Sequence, residues 1–288
     1  MLNAFTVDLE DWYQGLEIAP SEWESFEDRL EIGCGRLLLL LEEAGVKATF
    51  FVLGYAAERF PDLIADIASR GHEIGTHGHG HEFVYNLGEE RFRSDLVHSI
   101  EILSDILGSP AGIRGHRAPC FSITKGCEWA FDVLQESGIT YDSSIFPVRN
   151  YRYGIPQAPR TIHRVRDGLI EFPLSTLPIG GHNLPIAGGA YFRLLPYTLT
   201  RSCMRRLNAA GEPVAFYIHP WELDPDQPRL PLPRRIGLTH YWNLGSTEAR
   251  LRRLLSDFRF TTMGSLVATV DAETVEAVDY ASAGGPSR

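Results

Sequence analysis

The sequence predicts an α/β protein built on a parallel sheet, and three features carry that expectation. Short apolar segments of strand type alternate with segments of helical periodicity along most of the 288 residues. Glycine punctuates the helical segments, as at Gly45 and Gly71. Polar and charged residues gather just after several strand segments, where parallel α/β folds build their sites. Enough repeats exist to close the sheet into a barrel, with an open doubly wound sheet as the competing arrangement.

The elements follow in order. Residues 4–7 alternate and run into an acidic cluster, which predicts the first strand. Leu30, Cys34, Leu37, Leu38 and Leu41 recur at helical spacing within residues 26–44, and Gly45 stops that helix. Residues 46–53 form a buried-type strand, and Pro61 opens a helix over 61–70. A short strand at 73–75, a helix at 89–107, a strand at 112–115 and a helix at 125–137 continue the alternation. Strands are expected near 139–141, 169–172 and 214–218, with helices near 196–210 and 247–258. The connection across 143–167 is long, and the Gly-rich stretch 178–191 and Pro/Arg-rich stretch 224–240 read as loops over a site. One domain is expected over residues 1–270, with a core at about 3–220 and an extension, 221–270, packed on it. Residues 271–288 read as a frayed tail.

Composition excludes several classes. A hydrophobic content of 44% supports a sizeable core, and a formal net charge of −10 disfavours a nucleic-acid partner, whose binding needs clustered cations. The longest aliphatic run is Leu37 to Leu41, far below the ~20 residues a transmembrane helix needs. The N-terminus reaches Asp8, Glu10 and Asp11 without a preceding Lys or Arg, so no secretory signal is read and a cytoplasmic location is expected. Cys34, Cys120, Cys127 and Cys203 contain no C-x-x-C pair and read as reduced thiols.

Chemistry concentrates in a few places. Thr76-His-Gly-His-Gly-His81 places three alternating histidines after a strand; imidazoles are common zinc-type ligands, and His77 and His81 can share one helical-turn face. A polar surface loop is the plain alternative. The acids Asp8 to Asp11 end the first strand, where one carboxylate can complete a metal set while Asp8 takes a proton from water. The alternative for them is a helix cap or solvated turn. Trp12 follows as a possible sugar platform, although single aromatics more often serve the core. Arg117 and His219 also follow strand segments; a lone histidine there is more often structural, unless the fold gathers other functional groups beside it.

Taken in order, these residues resemble the polysaccharide deacetylases, the NodB-homology group of carbohydrate esterase family 4. Phe5-Thr-Val-Asp8 is similar to its first motif, Thr76 to His81 to its second, Arg117-Ala-Pro to its third and Tyr217-Ile-His219 to its last. Val7-Asp-Leu-Glu-Asp-Trp12, Tyr141-Asp-Ser-Ser-Ile-Phe-Pro147 and His219-Pro-Trp-Glu-Leu-Asp-Pro225 resemble the subgroup associated with exopolysaccharide and exosortase gene clusters. The resemblance implies a distorted (β/α) barrel of the NodB-homology type. It implies Asp8 as general base, His77 and His81 as metal ligands, Arg117 as the residue orienting the base, and His219 as general acid. Asp142 is expected to hold His219 or Arg117.

This chain departs from the common Asp-Asp form of the first motif, because Leu9, Glu10 and Asp11 follow Asp8. Asp11 is preferred as the third ligand, since aspartate is the family's usual one, with Glu10 as the alternative. Cys120 replaces an aromatic after the third motif. Trp12, Phe121 and Trp221 are the expected substrate contacts.

The resemblance implies one divalent ion, zinc first with cobalt or nickel as alternatives. It implies N-deacetylation of an amino sugar in a bacterial polysaccharide or its lipid-linked precursor, in exopolysaccharide biosynthesis, with peripheral association at the inner membrane face. A cyclic imide or ureide amidohydrolase and a non-catalytic glycan-binding module are the rival readings. A glycosidase is disfavoured, because it needs two apposed carboxylates and no metal.

Overall fold

A computed structural model of the chain describes residues 1–16, 18–109 and 112–280. The first half contains β1 (Leu2–Leu9), α1 (Leu30–Ala44), β2 (Thr49–Val52), α2 (Gly54–Arg59), α3 (Pro61–Ser69), β3 (Glu73–Thr76), α4 (Val84–Leu87), α5 (Glu89–Leu107), β4 (Gly115–His116), α6 (Trp129–Glu136) and β5 (Tyr141–Asp142). The second half contains β6 (His163–Arg166), β7 (Leu169–Glu171), β8 (Thr176–Ile179), β9 (His182–Pro185), α7 (Gly189–Leu194), α8 (Tyr197–Ala209), β10 (Ala215–Ile218), α9 (Arg234–Tyr241), α10 (Thr247–Asp257), β11 (Arg259–Thr261) and α11 (Met263–Val267).

The main sheet runs β10-β1-β2-β3-β4-β5-β7-β6, with β11 also paired to β1. Every pairing is parallel except β6 with β7. The sheet curls into a half-barrel and does not close, so the predicted distorted barrel is open between β10 and antiparallel β6.

β1 lies inside the sheet, paired with β10, β2 and β11, and is buried from Asn3 to Leu9. Its polar residues are therefore spoken for. Asn3 bonds Asn208 and the Val214 N–H, Thr6 donates to the Phe216 carbonyl, and Asp8 meets Arg117. Outside the sheet, α1 buries Leu30, Cys34, Leu37, Leu38 and Leu41 and ends at left-handed Gly45, as its spacing predicts. Each fully buried leucine of that face stabilises the packing by about 1.5–3 kcal/mol.

The parallel strands aim their carboxyl ends at one edge. That edge collects His219 after β10, Asp8 near the end of β1 and Glu10 just after it, His77 and His81 after β3, and Arg117 after β4.

Several expectations change. The stretch 178–191 is largely structured: β8 and β9 pair across the two-residue turn Gly180-Gly181, both with positive φ, and α7 follows. The long connection contains β6, which turns back on β7 through Asp167-Gly168. Within 224–240, α9 forms instead of continuous loop.

The tail is ordered beyond 270. Val278 N–H donates to the Arg164 carbonyl at 2.8 Å, and Tyr280, 4% exposed, pairs its hydroxyl with His163 at 2.8 Å. Only residues 281–288 of the expected frayed tail lie outside the described residues. Among the described residues, no helix is long and apolar enough to cross a membrane.

Candidate active site

At the end of β1 the chain sends three acids in three directions. Asp8 Oδ1 accepts from Arg117 Nη1 at 2.6 Å. Glu10 faces His77 and His81. Asp11 turns away toward α1, where Oδ2 accepts the backbone N–H groups of Arg29 at 2.7 Å and Leu30 at 2.9 Å, and Oδ1 accepts that of Trp12 at 2.7 Å.

Asp11, the acid preferred from sequence as the third ligand, is thus committed elsewhere. The first N–H groups of a helix lack partners within it, and a carboxylate answers both their hydrogen bonds and the helix dipole. Burial raises the Asp11 carboxyl to about 6, against the opposing pull of the Arg29, Trp12 and Leu30 amides. Glu10 takes the position facing the histidines.

His77 directly follows β3 and contacts the Arg117 carbonyl through Nδ1 at 2.7 Å. A carbonyl only accepts, so Nδ1 carries the proton and Nε2 presents its lone pair. That Nε2 lies 4.0 Å from Glu10 Oε2, and His81 Nε2 lies 2.7 Å from the same oxygen. The histidines do not share a helical turn: Gly78 and His81, at φ 72° and 52°, bend the loop so that their rings converge.

Glu10 Oε2 is buried and has no aligned hydrogen-bond donor among the described residues, despite its short contact with His81. Ligand atoms of Glu10, His77 and His81 all lie within 4.8 Å of one another. Two imidazoles and a carboxylate with such an orphaned oxygen fit a divalent cation. Burial lowers His77 to about 4, keeping it neutral near pH 7. Burial pushes Glu10 up, but His81, His219 and His77 outweigh it and hold the carboxyl well below its usual range.

Behind Asp8, Arg117 is wholly buried. It also donates to Thr6 Oγ1 at 2.8 Å and to the Ser143 carbonyl and hydroxyl at 3.1 and 3.0 Å, and its guanidinium lies 4.3 Å from the Phe51 ring centre. This leaves Asp8 Oδ2 facing His219 Nε2 at 3.9 Å. Glu10 Oε1 lies 3.7 Å from the same nitrogen.

His219 is held from its far side. Nδ1 pairs with Glu222 Oε1 at 2.8 Å, while Glu222 Oε2 accepts from Arg193 Nε at 2.5 Å. Burial opposes a charge on His219, but the Glu222 bond, Glu10 and Asp8 raise it to about 9. Glu222 itself is held near 2, because Arg193 and His219 overcome the cost of burying it. Arg193 is anchored in turn by the carbonyls of Thr239, His240 and Trp242, at the end of α9.

Asp8, Glu10, His77, His81 and His219 line one cavity of about 360 Å³. Phe121, Tyr153, Tyr191, Tyr217 and Trp221 provide aromatic wall, with Arg152 and Arg235 among its other lining residues. The expected contacts Phe121 and Trp221 therefore reach the cavity. Trp12 does not: it is 1% exposed, packs against Tyr13 and Phe26, and gives its indole N–H to the Glu27 carbonyl. Asp142 also differs from expectation, because its Oδ1 meets His116 Nδ1 and the Ser144 hydroxyl, both at 2.7 Å, rather than His219 or Arg117. It braces the strand layer behind the cavity.

Glu222 and Arg193 escaped sequence reasoning. A signal existed for Glu222, since His219-Pro-Trp-Glu222 has the spacing of a capping box and the structure forms one. Arg193 gave none, because its partner lies 29 residues away.

This geometry defines an α/β half-barrel with its chemistry mounted on parallel strand ends. Residues 23–141 match the polysaccharide deacetylase family, and residues 143–268 match a domain of unknown function, DUF3473. A peptidoglycan-N-acetylglucosamine deacetylase of Bacillus cereus is 39% identical over 80 residues, 27% of this chain and 29% of that protein. A peptidoglycan deacetylase of Helicobacter pylori is 30% identical over 115 residues, 40% of this chain and 38% of that protein. The chain thus spans well under half the length of these relatives. A crystal structure from Mycobacterium smegmatis, described provisionally as a polysaccharide deacetylase, superposes with a TM-score of 0.64 at 22% identity, covering 96% of this chain and 92% of that one. That likeness establishes the shared fold.

Proposed function

We propose that the protein hydrolyses the N-acetyl group of an amino sugar in a bacterial polysaccharide or its lipid-linked precursor, releasing acetate and leaving an amine. One observation carries this reading: Asp8 and a proton-bearing His219 converge with the Glu10–His77–His81 group at one cavity. The deacetylase family match over residues 23–141 and the named deacetylase relatives support the reaction class.

Glu10, His77 and His81 hold the divalent ion, zinc first with cobalt or nickel as alternatives. When bound, such an ion supplies Lewis-acid polarisation of the amide carbonyl and makes water more acidic. Asp8 accepts a proton from the attacking water through Oδ2, while Arg117 fixes Oδ1. His219 delivers the Nε2 proton to the departing nitrogen, whose expulsion as an anion is prohibitive. Glu222 holds the Nδ1 edge and keeps that imidazole charged until it acts. The aromatic wall suits the apolar face of a sugar ring, and the motifs around Trp12, Pro147 and Pro225 support exopolysaccharide biosynthesis as the setting.

The direct experiment is acetate release from N-acetylglucosamine oligomers by metal-loaded and chelator-treated protein. Metal-dependent acetate with a matching yield of free amine supports the assignment. Turnover unchanged by complete metal removal would overturn the proposed chemistry.

A further inference from the structure

His79 is the middle histidine of the loop, and its side chain points away from the Glu10 group. Its Nε2 lies 3.2 Å from Glu58 Oε2 on α2, and His98 Nε2 on α5 lies 3.6 Å from Glu58 Oε1. The His79 and His98 rings stand 4.5 Å apart, and one ligand atom from each of the three residues lies within 4.8 Å of the others.

The backbone around His79 is fixed before any ligand arrives. Asp95 Oδ2 accepts the His79 N–H at 2.8 Å, and Oδ1 accepts the Gly80 N–H at 3.0 Å. From the other side, the first amides of α2 close on the loop: Gly54 N–H donates to the Gly78 carbonyl at 2.8 Å, and Tyr55 N–H to that of His79 at 3.2 Å. Gly54 makes this approach possible, since a Cβ there would stand 2.8 Å from the His79 ring. Asp95 and His98, three residues apart, share one face of α5. The helix that clamps the loop therefore also supplies the third side chain.

We propose that Glu58, His79 and His98 form a second divalent-cation site, distinct from the Glu10–His77–His81 group. Two imidazoles and one carboxylate select a borderline transition ion such as zinc, copper or nickel over magnesium or calcium, which favour all-oxygen shells. The three side chains remain partly exposed, at 44% for Glu58, 25% for His79 and 52% for His98. The site is thus open to ions in solution, and water completes the coordination. An ion held there joins α2, α5 and the histidine loop at one point.

The test uses the full chain, stripped with chelator and titrated with zinc chloride at about pH 7.5, where ordinary imidazoles are neutral. Bound zinc is counted after dialysis, and melting temperature is followed in parallel. Two equivalents are expected for the unaltered chain, one for His98→Ala or Glu58→Gln, one for Glu10→Gln, and none for Glu10→Gln/His98→Ala. Zinc should raise the melting temperature of Glu10→Gln but not that of the double variant. Equal zinc binding by Glu10→Gln and Glu10→Gln/His98→Ala overturns the second site. So does a single equivalent in the unaltered chain that His98→Ala leaves intact. A single equivalent lost in His98→Ala but kept in Glu10→Gln upholds this site and rejects the Glu10-centred one. Circular dichroism checks folding, and the two surface substitutions, on different helices, must agree.

Discussion

Glu222 grips His219 twice: its Oε1 lies 2.8 Å from Nδ1 of the ring and accepts the backbone N–H of the same residue at 3.0 Å. The imidazole consequently takes its orientation from Glu222, which joins Glu10 and Asp8 in favouring its charge. Because His219 is raised to about 9, its protonated form should persist through neutrality and disappear as pH rises through that value.

Glu222→Gln should therefore move the alkaline limb of kcat/KM toward the ordinary histidine range, by at least about 1 pH unit, equivalent to ~1.4 kcal/mol. The substitution strands the buried Arg193 charge, so Glu222→Gln/Arg193→Met serves as a companion without that charge. Superimposable pH profiles for the unaltered and substituted proteins would show that Glu222 does not set the acid.

Asp8→Asn preserves shape and removes the proton acceptor. Turnover should fall by about 10²–10⁴-fold, the range for general base catalysis, while metal content stays near that of the unaltered protein. Metal analysis beside acetate release checks both parts, and near-normal turnover would assign the base elsewhere.

The two acids after Asp8 should separate cleanly. Glu10→Gln should lose the ion shared with His77 and His81, as should His77→Ala and His81→Ala. Asp11→Ala should keep it and instead lower stability by about 0.5–2 kcal/mol, because the start of α1 loses its acceptor. Chelator-competition affinity and denaturant melts distinguish these results; metal loss in Asp11→Ala with unchanged stability would reverse the assignment.

His219→Ala should hurt most where the leaving group is hardest to expel. An N-acetylated sugar should suffer a severe loss, and an aryl acetate, if turned over, a smaller one, since phenolate needs little protonation. The comparison is made as kcat/KM ratios on the same preparations. Equal losses on both substrates would mark His219 as structural.

The order of the strands and longer helices up to α6 was legible because each of these segments carries its own periodicity, as in the Leu30–Leu41 face; α2 and α4, with six and four residues, are too short to show one. The hairpins were legible in principle, since Gly180-Gly181 and Asp167-Gly168 are turn signals, but glycine density in one case and a long polar approach in the other obscured the flanking strands. Asp8, His77, His81, Arg117 and His219 stood out because their motifs lie directly after strands. The choice between Glu10 and Asp11 was not legible: it depends on where α1 begins, 19 residues after Asp11, and on which carboxylate its amides capture. Glu171, buried with the Ile145 amide on its carboxylate, and the His116–Asp142 pair likewise acquire their roles only through strand adjacency.

Gly33 carries a consequence for how this chemistry is tuned. A Cβ on that residue would stand 2.1 Å from the Pro220 carbonyl, so α1 rests directly against the turn that begins beside His219. The helix acts as a depth stop for the histidine, and its own first turn is tied through Asp11 to the acidic end of β1. The reach between His219 and Asp8 is thus gauged by a helix that contributes no reacting group. Transplanting this arrangement into another half-barrel would require moving α1 together with the two strand ends, because copying the polar residues alone would leave the spacing between His219 and Asp8 unset.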